Sequence, residues 1–349
     1  MNLHLLVPSL FWPDVTLTAI YRDLPLPALE NLLAKSSSIN DGLQGSQGLE
    51  AWLCQAFNVA KQLDWPVAPI TLVTDSTEGI KACNDYWIRA DPVHLYIERD
   101  QLVLADSRVF QISSQEASQL TELLNRHFAA SGEQIVFFPL RPDRWYLRAT
   151  KMPPARTHLL GEAANKGINE LLPYCTNNAI WRGLFNEVQM LLHEHPLNQL
   201  REARGEPAIN SIWFWGGGTM PPSIVSPYTH VWTDDVLAGS LAQACGADHA
   251  QLPPGATTWL RHATSGNHLV VLNVLHGKTQ YADAYGWRES LKNLEHNWFE
   301  PLLAMVKQGR IDQLILTVVS ETKTKNFTAR TGDLRKFWRR MKPISTYND

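Results

Sequence analysis

A chain of 349 residues is long enough for two domains, or for one large domain carrying an insertion. Hydrophobic residues make up 44% of it, which excludes a disordered chain, and a net charge of −3 excludes a protein that holds nucleic acid by bulk charge. The four cysteines (Cys54, Cys83, Cys175, Cys245) form no CxxC pair and no Cys/His cluster of zinc-finger spacing, so reduced thiols in a cytoplasmic protein are expected.

The opening MNLHLLVPSLFWP lacks a basic leader and is interrupted by Pro8 and Pro13; it reads as a buried strand over Leu3–Val7. No apolar run is long enough to span a bilayer, so no membrane partner is expected. Pro27 suits the first turn of a helix whose apolar stripe is Leu29, Leu32 and Leu33. A Gly/Ser-rich loop at 39–48 precedes a helix over 49–63, and ITLVTD at 70–75 reads as a strand.

Paired strands are expected at 85–98 and 101–107. A helix over 113–130 opens with the capping box Ser113–Glu116, and two strands follow at 133–140 and 144–149. This α+β pattern, ended by Pro153–Pro154, predicts an inserted domain over 83–182 between core segments 1–82 and 183–349. Helices and strands then alternate: a helix over 178–195, a strand at 211–215, a helix at 234–246, a strand at 268–275, a helix at 287–309 and a strand at 313–319. Such alternation implies an α/β fold with a doubly wound, mostly parallel sheet.

HEH at 193–195 suggests a metal, but on a helix His193 and His195 point roughly 200° apart at ~100° per residue, so they cannot share one ion. Pro196 places a boundary near Glu194–His195. Asn198, Arg201 and Arg204 recur every third residue and share a helical face. They either clamp a phosphate or carboxylate, or form a solvated face bonded to Glu202 and Glu206. Gly216, Gly217 and Gly218 after SIWFW let a backbone approach a ligand or make a sharp turn. GxGxxG, a P-loop and a GxSxG elbow are absent. The tail RTGDLRKFWRRMKP is either a solvated terminal element or a surface for nucleic acid or another anion.

The run LFNEVQMLLHEHPLNQLREARGEPAINSIWFWGGG resembles the segment HPVNxxRxxxGxxPANxxWxWGxG of archaeal-type, cofactor-independent phosphoglycerate mutases of the alkaline phosphatase superfamily. LPLPALENLLAKS, DYWIRADPVHLYIERDQLVLADS and HVWTDDVLAGSLAQACGADHAQLPPGAT resemble further family stretches in the same order. Taken whole, the chain also resembles the RpfE-type bacterial regulatory proteins. The mutase resemblance implies an alkaline-phosphatase-like core with an inserted α+β domain, and a two-metal phosphoryl transfer from a serine nucleophile.

The chain departs from that pattern at most metal ligands. Pro8–Ser9 stands at the family's Asp-Gly. Ser46 in GSQG lacks the following Asp. His276 and Asp283 have Tyr281 and Tyr285 near the expected ligand positions, and Ser320–Glu321 replaces Asp-His. The resemblance with these departures implies a regulatory pseudoenzyme without metal cofactor, binding a small anionic metabolite in a cleft between core and insertion. Its ligand residues would be His195, Asn198, Arg201, Arg204, Asn210 and Gly216–Gly218. Two alternatives remain. One is an active mutase or phosphatase using Ser46, His276 and Asp283 with Mn or Mg in a rearranged site. The other is a nucleic-acid-binding regulator acting through the basic C-terminal segment.

Overall fold

The computed structural model describes residues 1–39, 48–76, 80, 82, 84–149, 152–175 and 178–348. They form two compact units, Met1–Val59 with Ile224–Asp349, and Ala60–Ser223. The first opens with β1 (Asn2–Leu6), α1 (Pro27–Lys35), β2 (Ser37–Ile39) and α2 (Leu49–Ala56). The second carries α3 (Val67–Asp75), β3 (Trp87–Glu98), β4 (Gln101–Ala105), α4 (Ser114–Ala130), β5 (Ile135–Arg141), β6 (Arg144–Ala149), α5 (Leu160–Ala163), α6 (Asn178–His193), α7 (Pro196–Ala203) and β7 (Ser211–Gly218). The chain returns to the first unit with β8 (His230–Trp232), α8 (Val236–Cys245), β9 (Asp248–Ala250), α9 (Ala256–His262), β10 (Asn267–Val271), α10 (His276–Gln280), α11 (Ala284–Leu294), α12 (Glu300–Lys307), β11 (Gln313–Val319), β12 (Thr324–Ala329) and α13 (Thr331–Leu334). A π-helical turn over Glu295–Phe299 joins α11 to α12.

The first unit is built on a seven-stranded sheet in the order β2-β12-β11-β1-β10-β8-β9. The run β11-β1-β10-β8-β9 is parallel, and β12 returns antiparallel to β11. The fold is thus mixed α/β with a mostly parallel sheet. Alternation along β1 explains its two covered faces. Leu3 and Leu5 join a core containing Leu29, Leu32 and Leu33 of α1, Trp287 and Leu291 of α11, and Leu302 and Val306 of α12. His4 points the other way, with its ring centroid 5.2 Å from that of Trp52 on α2.

His4 is held in a polar chain. The Tyr228 hydroxyl donates to its Nδ1 at 2.8 Å. Thr317 donates to Asn326 Oδ1 at 2.6 Å, so Thr317 Oγ1 accepts from His4 Nε2 at 2.6 Å. This places the imidazole proton on Nε2.

The second unit is a mostly antiparallel sheet of β4-β3-β6-β5 with β7 added on β3. Arg89 and Asp91, two residues apart on β3, share a face and are both buried. The Arg89 guanidinium donates three bonds of 2.7–3.0 Å to Asp91 and lies 5.1 and 5.0 Å from the rings of Tyr146 and Trp215. Asp91 also accepts from the Trp145 backbone N–H and from Trp215 Nε1. One ion pair thereby ties β3 to β6 and β7.

Several sequence expectations are corrected. Residues 70–75 are part of helix α3; most of them are buried, which leaves little period to read, and Pro69 fits a first helical turn. The helix expected over 49–63 stops at Ala56, with Asn58 at φ 56° just beyond its end. As for the inserted domain expected over 83–182, that segment lies within the second compact unit, Ala60–Ser223. There α3 packs on β3 and β7, and β7 is a strand of that unit's own sheet. The three glycines continue β7 to Gly218 instead of forming a turn.

Burial lowers His4 from 6.5 to about 4. Between those values the unfolded chain binds the extra proton, so stability is full above 6.5 and falls as pH drops toward 4. Urea unfolding midpoints followed across that window should fall in the native chain and fall less in His4→Gln. Equal slopes in the two proteins would contradict the assignment.

Candidate functional site

In parallel α/β sheets ligands bind outside the carboxyl ends of the strands. Here β1 lies between β10 and β11 and runs parallel to both, so the carboxyl ends of these three strands sit side by side. The chain leaves β1 through Pro8 and Ser9. The Ser9 backbone N–H donates to Val319 O at 2.9 Å and its carbonyl accepts from Trp287 Nε1 at 3.0 Å. Between these anchors Ser9 takes φ 58°, a left-handed conformation that side chains other than Gly rarely adopt.

That strained turn aims the hydroxyl at α10. Ser9 Oγ lies 3.2 Å from His276 Nδ1, and Gln280 Nε2 lies 3.2 Å from His276 Nε2. The exit of β10 thus supplies the imidazole and the exit of β1 the hydroxyl. Asp283, the third member of the expected catalytic set, caps α11. It accepts from Gly286 N at 2.8 Å and from Lys278 Nζ at 3.0 Å. The Gly286 N–H, then Lys278, hold its carboxyl below the usual range. Ser46 lies outside the described residues.

Two of the carboxylates that follow the parallel strands serve their own turns. Asp235 caps α8 by accepting from Ala238 N, and Asp234 accepts from Leu252 N. Ser320 closes the β11–β12 turn through Lys323. Among the described residues no group of three or more His, Cys, Asp or Glu is arranged to hold a metal ion.

The segment 195–218 belongs to the second unit; Asn198 and Arg201 turn inward, while His195 is half-buried and Arg204 is exposed. His195 caps α7, its Nδ1 accepting from Leu197 N. Asn198 is buried. It donates to Leu192 O and Ile209 O and accepts from Ile209 N. Arg201, also buried, donates to Pro207 O, Gln111 O and Glu116 Oε1. Arg204 pairs with Glu116 and Glu206. Asn210 bonds both backbone groups of Leu95 on β3.

The glycines are packing positions. A Cβ on Gly216 would come within 2.8 Å of Val67, on Gly217 it would collide with the Tyr86 hydroxyl, and on Gly218 it would reach 2.7 Å from Pro66. The shared helical face of Asn198 and Arg201 is real, but it faces the interior. A cleft of about 990 Å³ nearby is lined by Arg108, Arg201 and Arg204 together with Glu116 and Glu206; Arg201 and Arg204 pair with those glutamates and Arg108 with Asp106 behind the lining, so each cation already has a carboxylate.

The residue the sequence pattern did not single out is Ser9. The available signal was Pro8–Ser9 directly after a buried first strand, at the end where α/β sheets bind ligands.

No known family profile matches the chain. Over 120 residues it is 31% identical to the 2,3-bisphosphoglycerate-independent phosphoglycerate mutase of Methanosarcina barkeri; the match spans 34% of this chain and 30% of that protein. Among solved structures, the PH0037 protein of Pyrococcus horikoshii aligns over 95% of this chain and 89% of its own, with a TM-score of 0.53 and 11% identity, a likeness of fold. The cofactor-independent phosphoglycerate mutase of Thermoplasma acidophilum aligns over 99% and 94%, with a TM-score of 0.48 and 12% identity. The chain thus shares the fold of the PH0037 protein and, over that 120-residue stretch, is similar in sequence to a phosphoglycerate mutase.

Arg201→Ala should destabilise the second unit by about 3–5 kcal/mol, since it leaves Glu116 and two carbonyls without their cation. Denaturant unfolding reads this directly. A variant of native stability would return Arg201 to the ligand-clamp role.

Proposed function

We propose that this chain is a phosphoglycerate-mutase-like protein that binds a small anionic metabolite at the carboxyl edge of its parallel sheet, in a regulatory role and without two-metal phosphoryl transfer. The observation that carries this is the Ser9–His276 pair, with its hydroxyl and imidazole 3.2 Å apart beyond the carboxyl ends of β1 and β10. Two divalent ions require several converging carboxylates to offset their charge. At this edge Ser9, His276 and Gln280 offer hydroxyl, imidazole and amide groups, Asp234, Asp235 and Asp283 are engaged as caps or turn acceptors, and Glu321 follows β11 as an exposed carboxylate. The Gln280 amide donates to His276 Nε2, so Nδ1 carries the ring proton and donates to Ser9 Oγ, which leaves the serine hydroxyl to donate to a phosphate or carboxylate. The donors of 195–218 are already bonded within the protein, which favours the strand edge over that segment as the ligand position.

No step is derived through a metal. The alternative, a Mn- or Mg-dependent mutase or phosphatase, requires Ser46 as nucleophile beside His276.

Two measurements separate the readings. Purified protein should carry no stoichiometric Mn, Mg or Zn and should not interconvert 2- and 3-phosphoglycerate when either Mn or Mg is added. Calorimetric titration with 3-phosphoglycerate should show binding that weakens by about tenfold or more in Ser9→Ala and His276→Ala, the effect of losing a hydrogen bond to a charged group. Stoichiometric metal with turnover abolished in Ser46→Ala would overturn the proposal. So would binding indifferent to both substitutions.

A further inference from the structure

After α13 the chain runs RKFWRRMKP over 335–343 across the first unit. Its residues divide into those that fasten it and those that do not. Lys35, at the C-terminus of α1, donates to the carbonyls of Lys336 and Arg339. Arg339 answers by donating to the Lys35 and Ser36 carbonyls, where a cation also complements the helix end. Lys336 pairs with Asp333, Ile344 is buried, and its N–H donates to Glu30. The backbone is therefore pinned on both sides of the segment's middle.

What it holds outward is apolar. Phe337 is 85% exposed, Trp338 64% and Met341 53%. Leaving two aromatic rings and a thioether together in water is unfavourable, and contiguous exposed apolar groups of this kind mark interaction surfaces. Arg335, Arg340 and Lys342 are exposed around them and make no ion pair among the described residues. The chain as a whole carries net charge −3, so this is a local cationic rim on an otherwise acidic protein.

Rings at the centre and cations at the rim match the interface of an anionic bilayer. There aromatic side chains sit at headgroup level, long cationic side chains reach back to the phosphates, and each cation near the surface adds attraction. Single-stranded nucleic acid fits less well. Base stacking uses open ring faces along a groove. Here the two rings are edge-on to each other, 83° apart with centroids at 5.2 Å, and Met341 offers no stacking face. No described helix is long and apolar enough to cross a membrane, and lying on a surface requires none.

We infer that the segment 335–343 is a peripheral docking surface for membranes bearing anionic lipid headgroups, with Phe337, Trp338 and Met341 entering the interface and Arg335, Arg340 and Lys342 contacting headgroup phosphates. The full chain is tested by co-sedimentation with phosphatidylcholine vesicles, with and without phosphatidylserine. Binding is expected only with phosphatidylserine and should weaken as salt is raised.

The double variant Phe337→Ala/Trp338→Ala should lower partitioning at least about tenfold, and Arg340→Ala/Lys342→Ala roughly tenfold at low salt. All four positions are exposed, and thermal unfolding should be unchanged in both variants. Arg339→Ala is not a suitable probe, because that side chain fastens the segment. The inference is overturned if the native chain ignores anionic vesicles at low salt, or if both variants bind them as well as it does. It is also overturned if a single-stranded oligonucleotide, and not the vesicles, is retained through Phe337 and Trp338.

Discussion

Strand β1 is paired in parallel on both sides, and much of the first unit follows from that. Parallel neighbours cannot be joined by tight turns, so β10 and β11 must be reached by crossovers that carry helices over the sheet. Both faces of β1 are then covered, Leu3 and Leu5 by α1, α11 and α12, and His4 by α2. The same constraint gathers the exits of β1, β10 and β11 at one edge. Ser9 and His276, 267 residues apart in sequence, meet there.

The second unit depends on a different device. Arg89 and Asp91 are removed from water together, and each is satisfied by hydrogen bonds and aromatic faces from β6 and β7. Removing a charge pair from water is costly unless its bonding is complete. The indole of Trp215 completes it, so β7 is held to β3 by its side chains as well as its ladder. This is why the 193–218 segment, which ends in β7, packs within this unit.

That segment shows how one polar pattern serves two ends. Asn198 and Arg201 are spaced for a common face, and helical geometry guarantees that they share it. Whether the face meets a ligand or the protein's own carbonyls is a matter of tertiary packing. Here Leu192, Pro207, Ile209 and Gln111 supply the acceptors. The charged groups near the edge of the parallel sheet behave likewise: Asp235 and Asp283 are consumed by helix starts.

What the sequence determined by itself was local and periodic. Alternation of helices with β-branched strands was enough for the α/β class and its mostly parallel sheet. Pro196 was enough to separate α6 from α7, and Ser113 with Glu116 to start α4. These follow from forces acting over a few residues: capping, ring closure at proline, and the period of apolar side chains. Tertiary structure decided the rest. ITLVTD could not be told from a strand because most of its residues are buried, which leaves little period to read. β7 joined the second unit's sheet because it found its partner in β3, more than a hundred residues earlier. Ser9 became a candidate site residue only when its turn was pinned between Val319 and Trp287. Pairings between distant segments are set by which surfaces exclude water together, and no local window of sequence contains that choice.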